Sequence, residues 1–115
     1  PILNYTNRSN RRINWVIGLE YSSTLDQINN LTDFLRNYII QSQDFTVNND
    51  HKAFVRLDKF NDSSIDILIY CFTSTNDWEK FLEIKENLAK EIKKKVEDLE
   101  LNFAFPSHSI YVEKN

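Results

Sequence analysis

A chain of 115 residues, 41% hydrophobic and 27% charged, has the composition of one folded domain. It is long enough to bury a core without metal or disulfide staples. A single glycine, Gly18, excludes phosphate loops and dinucleotide fingerprints, which need several. A net charge of −3 argues against a nucleic-acid partner, which a basic face would be needed to hold.

Residues 1–12 are polar, aperiodic and rich in Asn and Arg, and read as a leading segment. From Ile13 the chain alternates strictly. Ile13, Trp15, Ile17, Leu19 and Tyr21 share one face of a strand. Ser22, Ser23 and Thr24 offer N-caps to an amphipathic helix whose apolar side holds Leu25, Ile28, Leu31, Leu35, Tyr38 and Ile39. Gln41 to Asp50 is polar and predicts a loop. A second strand alternates Ala53, Val55 and Leu57 with Phe54, Arg56 and Asp58.

The cluster Asn61-Asp62-Ser63-Ser64 predicts a tight hairpin, with Asn61 suited to a positive φ. The third strand carries Ile65, Ile67, Ile69 and Cys71 on one face and Leu68, Tyr70 and Phe72 on the other. Apolar on both faces, it belongs in the centre of the sheet. Asn76-Asp77-Trp78-Glu79 reads as a capping box with Asn76 as N-cap. A helix to about Glu100 would follow, burying Trp78, Phe81, Leu88, Ile92, Val96 and Leu99, with Glu86–Lys90 and Glu91–Lys95 as supporting pairs. A last extended stretch holds Phe103 and Phe105, breaks at Pro106 and resumes at Ile110 and Val112.

The order β-α-β-β-α-β is an α+β plan of the ferredoxin-like, split βαβ type. It places a four-stranded antiparallel sheet beneath two helices on one face, with an additional C-terminal extended strand. The units are a leading segment 1–12, a domain 13–106 and a C-terminal strand 107–115. With no methionine, the chain reads as a piece of a longer protein. No apolar run approaches the roughly 20 residues of a membrane span, and no signal peptide opens it, so a soluble piece is expected.

No catalytic constellation assembles. His51 and His108 stand in polar loops, and Ser107-His108-Ser109 lacks an orienting acid. Cys71 sits in an apolar strand with no cationic neighbour in sequence, so it reads as a buried small hydrophobe, and a lone cysteine suits a reducing compartment. Asp62, Asp66, Asp77 and Glu79 are explained as turn and cap residues, without calcium-loop spacing. Lys93-Lys94-Lys95 is flanked by Glu91, Glu97 and Asp98 and reads as a solvated helix face. No cofactor, metal or catalytic residue is expected. Tyr70 and Phe72 lie where RNA-recognition domains stack bases, but the Lys/Arg-Gly-aromatic signature is missing. Leu68, Tyr70 and Phe72 are instead assigned to packing against another domain or subunit. Arg8, Arg11 and Arg12 form the one concentrated basic feature, suited either to a solubilising linker or to a domain junction.

Several segments together resemble the small-conductance mechanosensitive (MscS) channel family. They are Asn4-Tyr5-Thr6 with Arg11-Arg12, Ile17-Gly18-Leu19-Glu20-Tyr21, the hairpin Phe60 to Ile65, Thr75-Asn76-Asp77-Trp78, and Phe103-Ala104-Phe105-Pro106. The chain departs from the family pattern at Asn7, where arginine is frequent, at Asn61, where glycine is frequent, and at Ala104, where some members have proline.

The resemblance implies a C-terminal α/β domain on the cytoplasmic side of the bacterial inner membrane. This domain would help form a vestibule and filter below a tension-gated pore that releases ions and small solutes on hypo-osmotic shock. It implies a homo-oligomer, a heptamer in the intact channel, with upstream transmembrane and β-domains on the same chain and no nucleic acid. Phe105, Pro106, Ile110 and Val112 would join the interface set, Ile110 to Val112 as the strand that unites copies at the base. Two other classes stay open: a ligand-binding regulatory domain of the same fold, and a single-stranded RNA binder.

Overall fold

The structure, a computed structural model, describes residues 10–104. The elements are β1 (Arg12–Leu19), α1 (Leu25–Gln41), β2 (Phe45–Thr46), β3 (Phe54–Phe60), β4 (Ile65–Thr73) and α2 (Trp78–Asp98). All strand pairings are antiparallel, and β4 is central as its two apolar faces predict. β1 pairs with it from Arg12↔Phe72 to Leu19↔Ile65. A strand has only two edges, so β3 and the short β2 share the other one, β3 from Phe54↔Tyr70 to Phe60↔Ile65 and β2 at Phe45↔Thr73. The α+β plan of two helices and a four-stranded antiparallel sheet holds, with two changes in its strands.

The first change lies in the segment 41–50, predicted to be a loop, which contributes β2. Phe45 is buried there against Tyr38, ring edge to face at 6.1 Å, and its burial draws two residues into the sheet. The second concerns the last strand, which among the described residues is a single bridge, Leu19↔Phe103. Glu20 N–H donates to the Asn102 carbonyl and Ala104 N–H to that of Gly18, both within about one residue pair of that bridge. Phe105, Pro106, Ile110 and Val112 lie outside the described residues.

Strand parity places the core. Ile13 and Leu19 of β1, Val55 of β3, and Ile65, Ile67, Ile69 and Cys71 of β4 are all at most 4% exposed on the helix side. Against them pack Ile28, Leu31, Leu35 and Ile39 of α1 and Phe81, Ile84, Leu88, Ile92 and Val96 of α2. These helical positions recur at three and four residues, which is the stripe one face of a helix presents.

The helix ends differ from the sequence reading in detail. Thr24 caps α1 by accepting from Gln27 N–H, and Gln27 Oε1 accepts in return from Thr24 N–H, closing a capping box. Leu25, expected on the apolar face, is exposed because it is the first helical residue. In α2 the cap is Asp77, not Asn76: Asp77 Oδ2 accepts from Lys80 N–H at 2.9 Å. The Asp77 N–H donates to Thr75 Oγ1, and the Asn76 carbonyl is taken by Arg11 Nε, which moves the helix start one residue on. Trp78, expected in the core, is 55% exposed at that first position and faces Arg11.

At its C-terminus α2 closes with Leu101 N–H to the Val96 carbonyl and Glu100 N–H to that of Glu97, with Val96 and Leu101 both buried. This Schellman closure needs a left-handed residue, and Glu100 supplies it at φ 60° where glycine is usual. Asn61 does not have the positive φ expected of it. Its N–H donates to the Ser64 carbonyl, and the hairpin is held from outside by Tyr21, whose hydroxyl donates to the Asn61 carbonyl. Tyr21 therefore lies beyond β1, exposed. Of the two expected pairs on α2, Glu86–Lys90 forms at 3.5 Å. Lys95 instead covers the Phe34 ring at 4.9 Å, which removes it from Glu91.

Candidate functional site

Parity sends the even residues of β4 to the face that carries no helix. Leu68, Tyr70 and Phe72 are half-buried there beside Val16 of β1 and Phe54 of β3, which are 55% and 41% exposed. The rings form a row. Phe54 lies 6.0 Å from Tyr70, Tyr70 5.6 Å from Phe72, and Phe72 4.9 Å from the His51 ring, the last two pairs edge to face. Arg12 covers Tyr70 at 5.6 Å. Such contacts hold rings in fixed positions while leaving their outer sides to solvent. Of the predicted interface residues, Leu68, Tyr70 and Phe72 are thus brought together on one surface. Val16, Phe54 and His51 belong to the same surface but were not singled out. Phe54 could have been found, since it alternates with Val55 in an apolar-inward strand.

A second cluster fastens the start of β1 to the far end of β4. Thr73 is fully buried; its N–H and its hydroxyl both donate to the Arg11 carbonyl, at 2.8 and 2.9 Å. Asn10 Nδ2 reaches the Thr73 carbonyl at 2.8 Å and Thr46 Oγ1 at 3.1 Å. Arg11 N–H donates to the Thr75 carbonyl, its Nε to the Asn76 carbonyl, and its guanidinium lies 5.1 Å from Trp78 and 5.8 Å from Phe81. The basic residues of the leading segment therefore divide. Arg11 clamps that segment to α2 of its own domain, Arg12 lies on the open sheet face, and Arg8 falls outside the described residues. Asn10 and Thr73 carry this junction yet gave no sequence signal, being common polar types in unremarkable positions.

The titratable groups do not assemble into a catalytic centre or ligand set among the described residues, where no three His, Cys, Asp or Glu side chains gather to hold a metal. Burial pushes the Cys71 thiol up to about 12, which keeps it protonated and unreactive. Asp66, 6% exposed, accepts from Ser64 Oγ at 2.8 Å and from Asn61 Nδ2 at 3.4 Å. His51 Nδ1 lies 3.3 Å from Asn48 Oδ1. Every buried side-chain nitrogen or oxygen among the described residues has a partner, so none is left aimed at an absent ligand. No described helix is long and apolar enough to cross a membrane.

The family model "Mechanosensitive ion channel MscS, C-terminal" matches residues 13–103. An uncharacterized MscS family protein of Aquifex aeolicus is 37% identical over 111 residues, covering 96% of this chain and 30% of its own length. The low conductance mechanosensitive channel YnaI of Escherichia coli is 31% identical over 108 residues, covering 91% of this chain and 30% of its own. The chain therefore spans about a third of the length of these relatives. Helicobacter pylori MscS in its closed state superposes with a TM-score of 0.65 at 20% identity, over 86% of this chain and 36% of that one. Arabidopsis thaliana MSL1 gives 0.70 at 13% identity, over 85% and 35%. At those identities the superpositions speak to the fold, and the family rests on the sequence matches. The chain belongs to the MscS family of mechanosensitive ion channels, in which it corresponds to the C-terminal domain.

Proposed function

We propose that this domain forms part of a cytoplasmic vestibule and filter below a tension-gated pore, as one member of a homo-oligomer, a heptamer in the intact channel. The observation that carries the reading is the open sheet face. A row of half-buried rings with exposed Val16 and Phe54 beside it is an incomplete core that a neighbouring domain or subunit would complete. The polarity of the chain supports it. The leading segment arrives at the Thr73 end of β4, and the chain departs at the Leu19 end of β1, so the domain connects two levels about 26 Å apart along an eight-residue strand. Arg11 and Arg12, with Arg8 before them, lie on the upstream junction. Phe105, Pro106, Ile110 and Val112 follow on the downstream side as further contacts between copies.

In this role the domain gates nothing and catalyses nothing; it sets the shape and stiffness of a cage. Small contacts repeated around a ring suffice for that, so the isolated chain is monomeric or weakly associated. The regulatory-ligand reading gains no support from the described residues, whose buried side-chain nitrogens and oxygens all have partners. Patch-clamp recording of the full-length protein, in membranes stripped of their own mechanosensitive channels, tests the proposal. Tension-opened currents that change when this domain is deleted are expected. A correctly inserted protein that passes no tension-gated current would overturn the channel role.

A further inference from the structure

The outer strands of the sheet, β3 and β1, present different edges. The β3 edge is defended. Arg36 Nε, from α1, donates to the Val55 carbonyl at 3.1 Å, and a register shift between Leu57 and Lys59 leaves Asp58 without a partner in β4. Arg56, Asp58 and Lys59 are all exposed along it. Bulges and charges of this kind keep an edge strand from pairing with other chains.

The β1 edge carries no such defence. On the β4 side the Arg11 carbonyl accepts from Thr73 N–H; on the other side the Gly18 carbonyl accepts from Ala104 N–H, and Glu20 N–H donates to the Asn102 carbonyl. Backbone groups alternate in direction along a strand, so those of Arg12, Asn14 and Val16 point outward with those of Gly18 and Glu20. Among the described residues nothing bonds to them. From Arg12 to Val16 the register with β4 is unbroken, and the one charged side chain is Arg12. Trp15 and Ile17, on the helix side of this length, are only half-buried although they pack against the core.

Neither flank of the domain suits that edge. Asn10 is tied to Thr46 of β2, across β4 from it, so the leading segment enters on the wrong side. Were the register of Leu19↔Phe103 continued, Pro106 would stand opposite Val16, where the Val16 carbonyl needs an N–H that proline lacks. Ser107 and Ser109 would then face Trp15 and Ile13, with no apolar side chain to cover either.

We propose that the outer edge of β1, from Arg12 to Val16, takes up an extended segment of another protein as an added antiparallel strand. Outward-pointing backbone donors and acceptors are matched by an extended backbone, and the flanking side chains set which one. The segment places an apolar residue beside Trp15 on the helix side and a carboxylate opposite Arg12, whose guanidinium lies over Tyr70 and keeps its charge. Such a strand recruits a partner to the domain without using the ring row of the open face.

The probe is the synthetic peptide acetyl-Thr-Val-Thr-Val-Glu-Thr-amide, whose first five residues would lie opposite Val16 back to Arg12. Titrated to millimolar concentration into the 115-residue chain, it is expected to shift the amide NMR signals of Asn14, Trp15 and Val16 and to leave those of Val55 and Leu57 in place. N-methylation of its central Thr, which removes the donor to the Asn14 carbonyl, is expected to weaken binding about tenfold. Replacing its Glu by Lys is expected to weaken binding several-fold, and Arg12→Glu to restore it. Asn14→Pro, which removes an N–H that β4 does not use, is expected to abolish binding while amide exchange at Ile67 is unchanged. The methylated peptide leaves the protein untouched and so decides the matter even if that variant fails to fold. Equal binding of the methylated and unmethylated peptides overturns the proposal, as do shifts at β3 in place of β1 or none at either. Shifts at Asn14 and Val16 that grow with protein concentration alone, and that the peptide does not displace, would make the occupant a second copy and overturn it too.

Discussion

The two faces of β4 are made from nearly the same stock of apolar residues and meet opposite fates. Ile65, Ile67, Ile69 and Cys71 are at most 4% exposed beneath both helices. Leu68, Tyr70 and Phe72, one residue out of phase, are only half covered, by one another and by side chains of β1, His51 and Phe54. The hydrophobic effect rewards both faces, but within this chain only the first is fully removed from water. An apolar strand face therefore does not by itself identify a core. Where helices cover it, it contributes stability to the domain; where they do not, it supplies the surface on which an assembly can be built.

The difference is sharpest at Ile67. Replacing it by alanine should destabilise the domain by about 2–5 kcal/mol, because the removed atoms leave a cavity in the buried cluster that Ile67 shares with residues of both helices. Chemical denaturation would measure it, and a loss below 1 kcal/mol would mean the helix side is far less tightly packed than its burial indicates. At the junction Thr73→Val should cost about 1–3 kcal/mol. The Arg11 carbonyl would lose the hydroxyl of a fully buried side chain, and the Thr75 carbonyl the same donor at 3.2 Å. Amide exchange at Arg11 and Thr73 should rise more than exchange at Ile67, which separates a loosened junction from a weakened core.

Cys71 gives the core face a chemical reporter. Its thiol is raised from 9.0 to about 12 by burial, so the unfolded chain gives up the proton first as pH rises. Stability from this group is complete below about pH 9 and is lost between there and 12, at up to ~1.4 kcal/mol per pH unit. A thiol reagent at neutral pH should react at the rate of unfolding, and Ile67→Ala should accelerate it while changes on the open face leave it alone. Fast labelling of the folded, unmodified chain would show that Cys71 is not on the closed face.

Much of this was legible in the residues. Period-two and period-three-to-four patterns located both helices and the three long strands, and the apolar doubling of β4 marked it as central. What escaped depended on contacts between distant segments. Thr73 reads as an ordinary strand end until Asn10 and Arg11 are laid against it, and Trp78 reads as core until Arg11 covers it at the helix start. The short β2 is invisible because two residues have no period. The scarcity of glycine misled in another way: Asn61 was the natural candidate for a left-handed residue, yet Glu100 occupies that conformation because the Val96–Leu101 contact demands a closure there. Glu100→Gly should accordingly raise stability by about 0.5–1 kcal/mol in thermal denaturation.

The smallest effect is expected on the open face and bears most directly on function. Val16 is 55% exposed on β1 opposite Leu68, with no helix above it. Val16→Thr keeps the β-branched shape that suits a strand and replaces one methyl by a hydroxyl that solvent can satisfy. The stability of the isolated chain should change by less than ~0.5 kcal/mol. In an assembly that covers this face the hydroxyl would be desolvated against rings, and the same substitution should weaken association several-fold while leaving the melting temperature of the dilute chain unchanged. The reverse pattern, a lower melting temperature with association intact, would place Val16 in a core that the domain completes alone and would remove the functional distinction between the two faces of β4.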